Sequence, residues 1–189
     1  QLPEHLAIIG GGYIGLEFAQ IFRRLGSRVT ILERSAEDHF LPREEREIAA
    51  AVKNILREEG IELSFNSHIQ VVSRCKEKAN DLTIEIKQDQ QNITLKCSHI
   101  LAATGRLPNT EDLGLDLAGV ELDKRGFIVV NEKLETSAAD TYAIGDCKGP
   151  PFFTHLSWDD YRILNENLLH NAGRTTTGRL VPYTLFIDP

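Results

Sequence analysis

Three glycines and one carboxylate are the residues of this 189-residue sequence whose types and spacing could do chemistry. Gly10, Gly12 and Gly15 form G-x-G-x-x-G inside LAIIGGGYIGLEFAQIFRRLGSRVTILE, residues 6–33. A backbone turn that cradles a pyrophosphate needs glycine at all three places: for the tight bend, for close approach of the phosphates, and for packing helix on strand. Glu33 follows near the offset at which an acidic side chain accepts hydrogen bonds from a ribose. The same carboxylate would repel a ribose phosphate, so these residues point to NAD(H), with NADH favoured over NADPH. Arg34 is the one neighbour that could instead accept that phosphate. A glycine turn that binds nothing is the plain alternative, and the pattern on either side argues against it.

That pattern supplies the elements. Residues 6–9 are an unbroken apolar run, as in a parallel strand covered on both faces. From Ile14 to Leu25 apolar residues recur every three or four positions, so a helix begins where the glycines end, its free N–H groups facing the phosphates. Gly26 closes it, and residues 29–32 are a second strand with Glu33 at its end. Pro42 followed by Glu44, Glu45 and Glu47 predicts the start of a second helix. Ile48, Val52, Ile55 and Leu56 would be its buried stripe and Gly60 its stop. With a third strand at 61–65 this is a βαβαβ half of a doubly wound sheet.

The period then changes. Residues 69–74, 82–86 and 93–95 alternate, with polar turns near 79–81 and 89–92, which predicts an antiparallel meander. Residues 99–103 are again unbroken and return to the parallel sheet. Their carboxyl end carries ATGRLPN, 103–109, placing Thr104 and Gly105 where open α/β sheets bind ligands. Strands are expected at 127–130 and 141–144, the latter running into Gly145 and Asp146. A helix is expected over 158–172, a polar linker over 175–179 and a new strand over 182–187.

Composition narrows the class. The net charge is −7 without a basic block, which argues against nucleic acid and against an anionic membrane surface as partners. No apolar run approaches a membrane span. Cys75, Cys97 and Cys147 are widely separated and show no ligand spacing, so reduced thiols in a cytoplasmic protein are expected, with no metal site and no disulfide framework. The sequence has no methionine, and it reads as a piece of a longer polypeptide.

GGGYIGLE at 10–17, ATGRLPN at 103–109 and TYAIGD at 141–146 occur in the order and spacing of a known family. With them the chain resembles the FAD-dependent pyridine nucleotide-disulfide oxidoreductases, of the dihydrolipoamide dehydrogenase and mercuric reductase kind. The resemblance implies an α/β fold. A Rossmann-like three-layer NAD-binding domain (parallel sheet plus antiparallel meander) would span 1–107, the C-terminal segment of an FAD-binding domain 108–179, and the start of a dimer-interface domain 180–189. It implies NAD(H) and FAD as cofactors, and hydride transfer between them and on to a disulfide-type acceptor. A preceding FAD segment would carry a redox cysteine pair, a following interface domain would carry an acid–base histidine, and the full enzyme would be a homodimer. The piece itself would be inactive.

The resemblance also distributes roles. Gly10, Gly11, Gly12, Tyr13, Ile14 and Gly15 would line the NAD site with Glu33, and Tyr13 would lie over the flavin until nicotinamide displaces it, or else pack as a core aromatic. Ile69 fits an adenine-site lining and a core strand equally. Thr104, Gly105 and Arg106 would close the strand end. Gly145 and Asp146 would hold the flavin's ribityl chain, with Phe153, Thr154 and His155 at a helix start near the flavin ring; His155 is as readily structural as functional. Glu17, the catalytic candidate, would support a lysine of the preceding segment, or else be a surface acid. LSWDDY after His155 departs from the small and acidic residues usual there. Competing readings are an NADH oxidase or ferredoxin reductase-like flavoprotein, and a non-catalytic NAD-binding module.

Overall fold

The computed structural model describes residues 2–75 and 81–188. In chain order its elements are β1 (His5–Ile9), α1 (Tyr13–Arg24), β2 (Arg28–Leu32), α2 (Arg46–Glu58), β3 (Glu62–Ser64), β4 (His68–Arg74), β5 (Leu82–Gln88), β6 (Gln91–Cys97), β7 (His99–Ala102) and α3 (Thr154–His170). The chain divides into two compact units, Gln1–Gly105 with Thr184–Pro189, and Arg106–Tyr183.

The first unit is an α/β sandwich of three layers. Its parallel sheet has the order β3-β2-β1-β7. Alternate residues of the central strands serve opposite faces. Leu6, Ile8, Val29 and Ile31 pack with Leu16 and Ala19 of α1 and with Ala49, Val52 and Leu56 of α2. Ala7 and Leu32 turn the other way, onto Ile84, Ile86 and Cys97 of the meander β4-β5-β6. The β5–β6 turn has Asp89 and Gln90 both at positive φ (45° and 69°), the two-residue geometry that suits strand twist. Helix α1 ends with Gly26 at φ 102°, its N–H donating to the Arg23 carbonyl while Ser27 N–H reaches the Phe22 carbonyl. This left-handed stop satisfies two end carbonyls, and Gly60 and Ile61 repeat it after α2.

Several expectations need correction. Helix α2 begins at Arg46 and not at Pro42, because Leu41 takes a left-handed φ of 49° and Glu44 N–H closes a turn on its carbonyl. Ile48 lies exposed, and Ala49 takes its place in the buried stripe. Residues 182–187 form no strand: Phe186 N–H donates to Glu17 and Asp188 N–H to Gln20 Oε1, so side chains of α1 replace a strand partner. The turn expected near 79–81 falls largely outside the described residues.

The second unit is less regular. Val120, Ile128 and Ala143 form a small core. No strand forms at 127–130 or 141–144; there are isolated bridges, Leu122 with Ile128 and Glu135 with Tyr142. The reason is that successive amides go to different segments: Ile128 N–H to Cys147 O and Val129 N–H to Glu121 O. A short 3-10 turn, Gly145–Lys148, follows. Helix α3 starts at Thr154, four residues earlier than expected, with extended Phe153 accepting from Leu156 and Ser157 N–H. It stops at His170 because Asn171 is left-handed (φ 51°).

Candidate functional site

In the first unit the strand register aligns Ile9 with Leu32 and with Ala102, which sets the glycine turn, Glu33 and Thr104 at one edge of the parallel sheet. Gly10 has φ 106°, and a Cβ there would stand 2.5 Å from the Ala103 carbonyl oxygen. A Cβ on Gly15 would overlap the Gly10 carbonyl oxygen. Gly12, the N-cap of α1, has open space where its Cβ would be. No side chain caps this helix, and its first turn carries no acid. The first amides of α1 are therefore left to an outside acceptor, with the helix dipole favouring an anion.

Glu33 is held by backbone. Its Oε2 accepts from Gly11 N–H at 2.7 Å and its Oε1 from Ser35 N–H at 2.8 Å. A Cβ on Gly11 would lie 2.9 Å from the same Oε2 and 3.1 Å from the Phe40 ring. Gly11 is thus a third glycine, after Gly10 and Gly15, required by a close approach, for a reason the G-x-G-x-x-G spacing does not contain. The fixed carboxylate keeps further lone pairs that can accept ribose hydroxyls.

The remaining candidates of this unit spread out. The Tyr13 hydroxyl donates to Glu44, and its ring packs at the edge of the helix-side core. Ile14 is exposed on the same turn. Thr104 and Gly105 follow β7, Gly105 at φ 111°. Glu17 lies one turn further along α1, where its Oε1 accepts from Phe186 N–H at 3.0 Å. Ile69 sits on β4, partly buried against the meander-side core.

In the second unit Gly145 is left-handed (φ 73°) and starts the 3-10 turn. Asp146 follows, half-exposed, with its Oδ2 2.7 Å from Arg106 Nη1. Arg106 also lies over the Phe152 ring, 5.6 Å from its centroid. Phe153 stacks on His155 and on Tyr183, at 5.3 and 6.0 Å between centroids. The amino end of α3, at Thr154, again has no side-chain cap and no acid in its first turn. Burial raises the Cys147 thiol, which donates to the Ile144 carbonyl, and pushes Cys97 up to about 11, so neither has thiolate character. Among the described residues no group of His, Cys, Asp and Glu is arranged to hold a metal ion, and no helix is long and apolar enough to cross a membrane.

The sequence reading missed Asp160. This fully buried carboxylate accepts from Gly145 N–H at 2.9 Å and from Arg179 Nη1 at 2.6 Å, with Lys148 Nζ at 3.2 Å. One signal was available: at 156, 160 and 163 it occupies an apolar stripe position of α3, where an aspartate is out of place.

The glycine turn and the fixed acid belong to an α/β fold, and comparison with known proteins makes its class specific. Residues 1–174 match the family described as pyridine nucleotide-disulphide oxidoreductase, and the chain belongs to that family. It is 41% identical to the probable pyridine nucleotide-disulfide oxidoreductase RclA of Escherichia coli, over all of this chain and 41% of that protein. It is 41% identical to a mercuric reductase of Streptomyces lividans, over all of this chain and 39% of that protein. The Cu(II) complex of the HOCl-induced flavoprotein disulfide reductase RclA from Escherichia coli superposes with a TM-score of 0.90 at 40% identity, covering all of this chain and 41% of that one. These relatives are named as enzymes, an oxidoreductase and a reductase. The chain spans about two fifths of the length of the relatives it matches.

Proposed function

We propose that the whole protein passes hydride between NAD(P)H and FAD, and electrons onward to a disulfide-type acceptor, and that the unit containing residues 2–105 binds the nicotinamide dinucleotide. What carries this reading is the uncapped amino end of α1 behind Gly10, Gly12 and Gly15, beside a Glu33 already fixed by two backbone amides. The amides of the turn take the pyrophosphate, and Glu33 accepts from the adenosine ribose. Tyr13, Ile14, Thr104 and Gly105 border that position, and Ile69 lines the adenine side. In the second unit Asp146 accepts from ribityl hydroxyls, Arg106 and Gly145 fix its setting, and the amino end of α3 at Phe153, Thr154 and His155 favours negative charge on a reduced flavin. The two cofactors supply the hydride and electron chemistry; the protein supplies binding and orientation.

Glu33 also makes NADH the preferred donor, since a ribose phosphate would meet its carboxylate. Glu17 serves as a support for a cation near the flavin. We further read the whole protein as a cytoplasmic homodimer, with an FAD segment and an interface domain contributed by the same polypeptide, as the greater length of the relatives suggests.

The test is anaerobic titration of the purified full-length protein with NADH, followed at the flavin absorbance, then with a dithiol–disulfide substrate. Bleaching by NADH at lower concentration than NADPH, with reoxidation by the disulfide, is the expected outcome. A protein that binds no flavin, or one reduced more efficiently by NADPH, overturns the reading in its general or its finer part. The 189-residue chain alone is expected to reduce no disulfide.

A further inference from the structure

We propose that Asp160 is the positioning residue for the Gly145–Lys148 turn: its buried carboxylate fixes the direction in which Asp146 presents its side chain to the hydroxyls of a bound flavin nucleotide. This rests on the reading of residues 141–146 as part of a flavin site, and deepens it.

Asp160 is 0% exposed, between Leu156 and Ile163 on the buried side of α3. A leucine or methionine in that stripe would pack at least as well, because taking a carboxylate out of water costs more than its ion pairs commonly return. The residue is therefore explained by what its oxygens hold. Oδ2 takes the Gly145 N–H at 2.9 Å and faces Lys148 Nζ at 3.2 Å, so it grips the first and last residues of the turn. Oδ1 takes Arg179 Nη1 at 2.6 Å. Arg179 also approaches Asp159 at 3.6 Å, which keeps the guanidinium from swinging away.

The turn needs such a grip. Gly145 is left-handed at φ 73°, and a Cβ there would come 3.0 Å from Ser157 Oγ of α3, so the turn is seated directly on the helix. Cys147 O accepts from Ile128 N–H at 2.9 Å, which ties down the middle of the turn. Asp146 is the member whose side chain points outward, half-exposed and paired to Arg106. With Gly145 N and Lys148 fixed from one carboxylate, the peptide that carries Asp146 has little freedom left. An Asp160→Asn variant cannot reproduce this. Its single oxygen can serve Gly145 or Arg179 but not both, and its amide N–H groups would face donors.

The experiment uses the full-length protein stripped of flavin and titrated with FAD, well below its melting temperature. Asp160→Asn is expected to raise the FAD dissociation constant about tenfold and to alter the visible circular dichroism of the bound flavin. NADH affinity, read on the same apoprotein, is expected to stay within about twofold, since the glycine turn lies in the other unit. Lys148→Met should shift FAD affinity the same way by about threefold. A folded Asp160→Asn with wild-type FAD affinity and dichroism overturns the proposal. So does a parallel loss of FAD and NADH affinity, which marks a general loss of structure. If Asp160→Asn does not fold, Lys148→Met decides: unchanged FAD affinity there overturns it. A wild-type apoprotein that binds NADH but no FAD removes the underlying flavin reading instead, before any variant is compared.

Discussion

The two units reach order by different means. In the first, apolar residues of β1 and β2 alternate between two faces and bury helices on one and a meander on the other. Its site residues then hold backbone: Glu33 takes two amides, and Gly10 and Gly15 let main chain approach main chain. In Arg106–Tyr183 the apolar core is small, and the turn bearing Asp146 is held by charge, with Asp160, Arg179 and Lys148 around the Gly145 amide. A site resting on layered packing tolerates surface change and fails on a steric intrusion. A site resting on a buried carboxylate fails when one hydrogen-bond donor or acceptor is exchanged.

The largest effect expected from that contrast is at Gly15. Gly15→Val places side-chain atoms where the Gly10 carbonyl oxygen stands, so α1 must move off β1. NADH binding should weaken more than about a hundredfold, measured by calorimetry on the full-length protein. Retained affinity would show that the close packing is dispensable. Next is Leu56→Ala, at a side chain with no exposed surface, expected to cost about 2–5 kcal/mol in denaturant unfolding. Leu117→Ala in the second unit, at a residue 91% exposed, should stay within about 0.5 kcal/mol. Equal costs at the two sites would mean that the cost of truncation does not follow burial in this fold. Smaller than the cost at Leu56 is the effect of Glu33→Ala, which frees Gly11 N–H and Ser35 N–H and removes the proposed ribose acceptor. The NADH dissociation constant should rise about tenfold while that for NADPH changes less, narrowing the preference. A widened preference would mean that Arg34 and not Glu33 governs the choice.

What was legible follows the same division. The seven strands among the described residues of the first unit were expected within a residue or two, because period and burial coincide there: residues 6–9 are apolar without alternation and residues 82–86 alternate. The start of α2 was not legible. Pro42 and its acids look like a first helical turn, but Leu41 adopts a left-handed conformation that only the folded packing of Phe40 and Leu41 explains. Residues 127–130 and 141–144 are strand-like in composition, yet their amides pair with scattered segments, and pairing is a tertiary fact. Of the candidate site, the glycines and Glu33 announced themselves by spacing. Asp160 showed only as an acid in the apolar stripe of α3, since its partners Gly145, Lys148 and Arg179 lie on both sides of it in sequence and are joined only by the fold.

The smallest effect expected concerns acid stability, and it asks how far the layered unit, too, depends on charge. His5 is buried in β1, with Nδ1 3.0 Å from the Lys96 carbonyl and Nε2 2.9 Å from Thr30 Oγ1. A carbonyl only accepts, so Nδ1 carries the proton and Nε2 is left to accept from Thr30. Glu62 Oε2 competes for that one hydroxyl proton at 2.8 Å, but Glu62 has Arg28 at 2.8 Å as its own partner. Burial, followed by the charge of Arg28, lowers the His5 pKa, so the folded state holds the ring neutral. The unfolded chain takes up a proton near pH 6.5 where the folded one does not. Stability is then complete above that pH and declines as pH falls from about 6.5 toward the depressed folded value, below which the loss stops growing. His5→Gln should flatten this part of the profile of melting temperature against pH, in the same full-length protein. A slope through pH 6.5 that survives His5→Gln would place the acid sensitivity elsewhere, and a melting temperature that rises on acidification and flattens in the variant would mean that the Thr30–Glu62 line holds His5 charged.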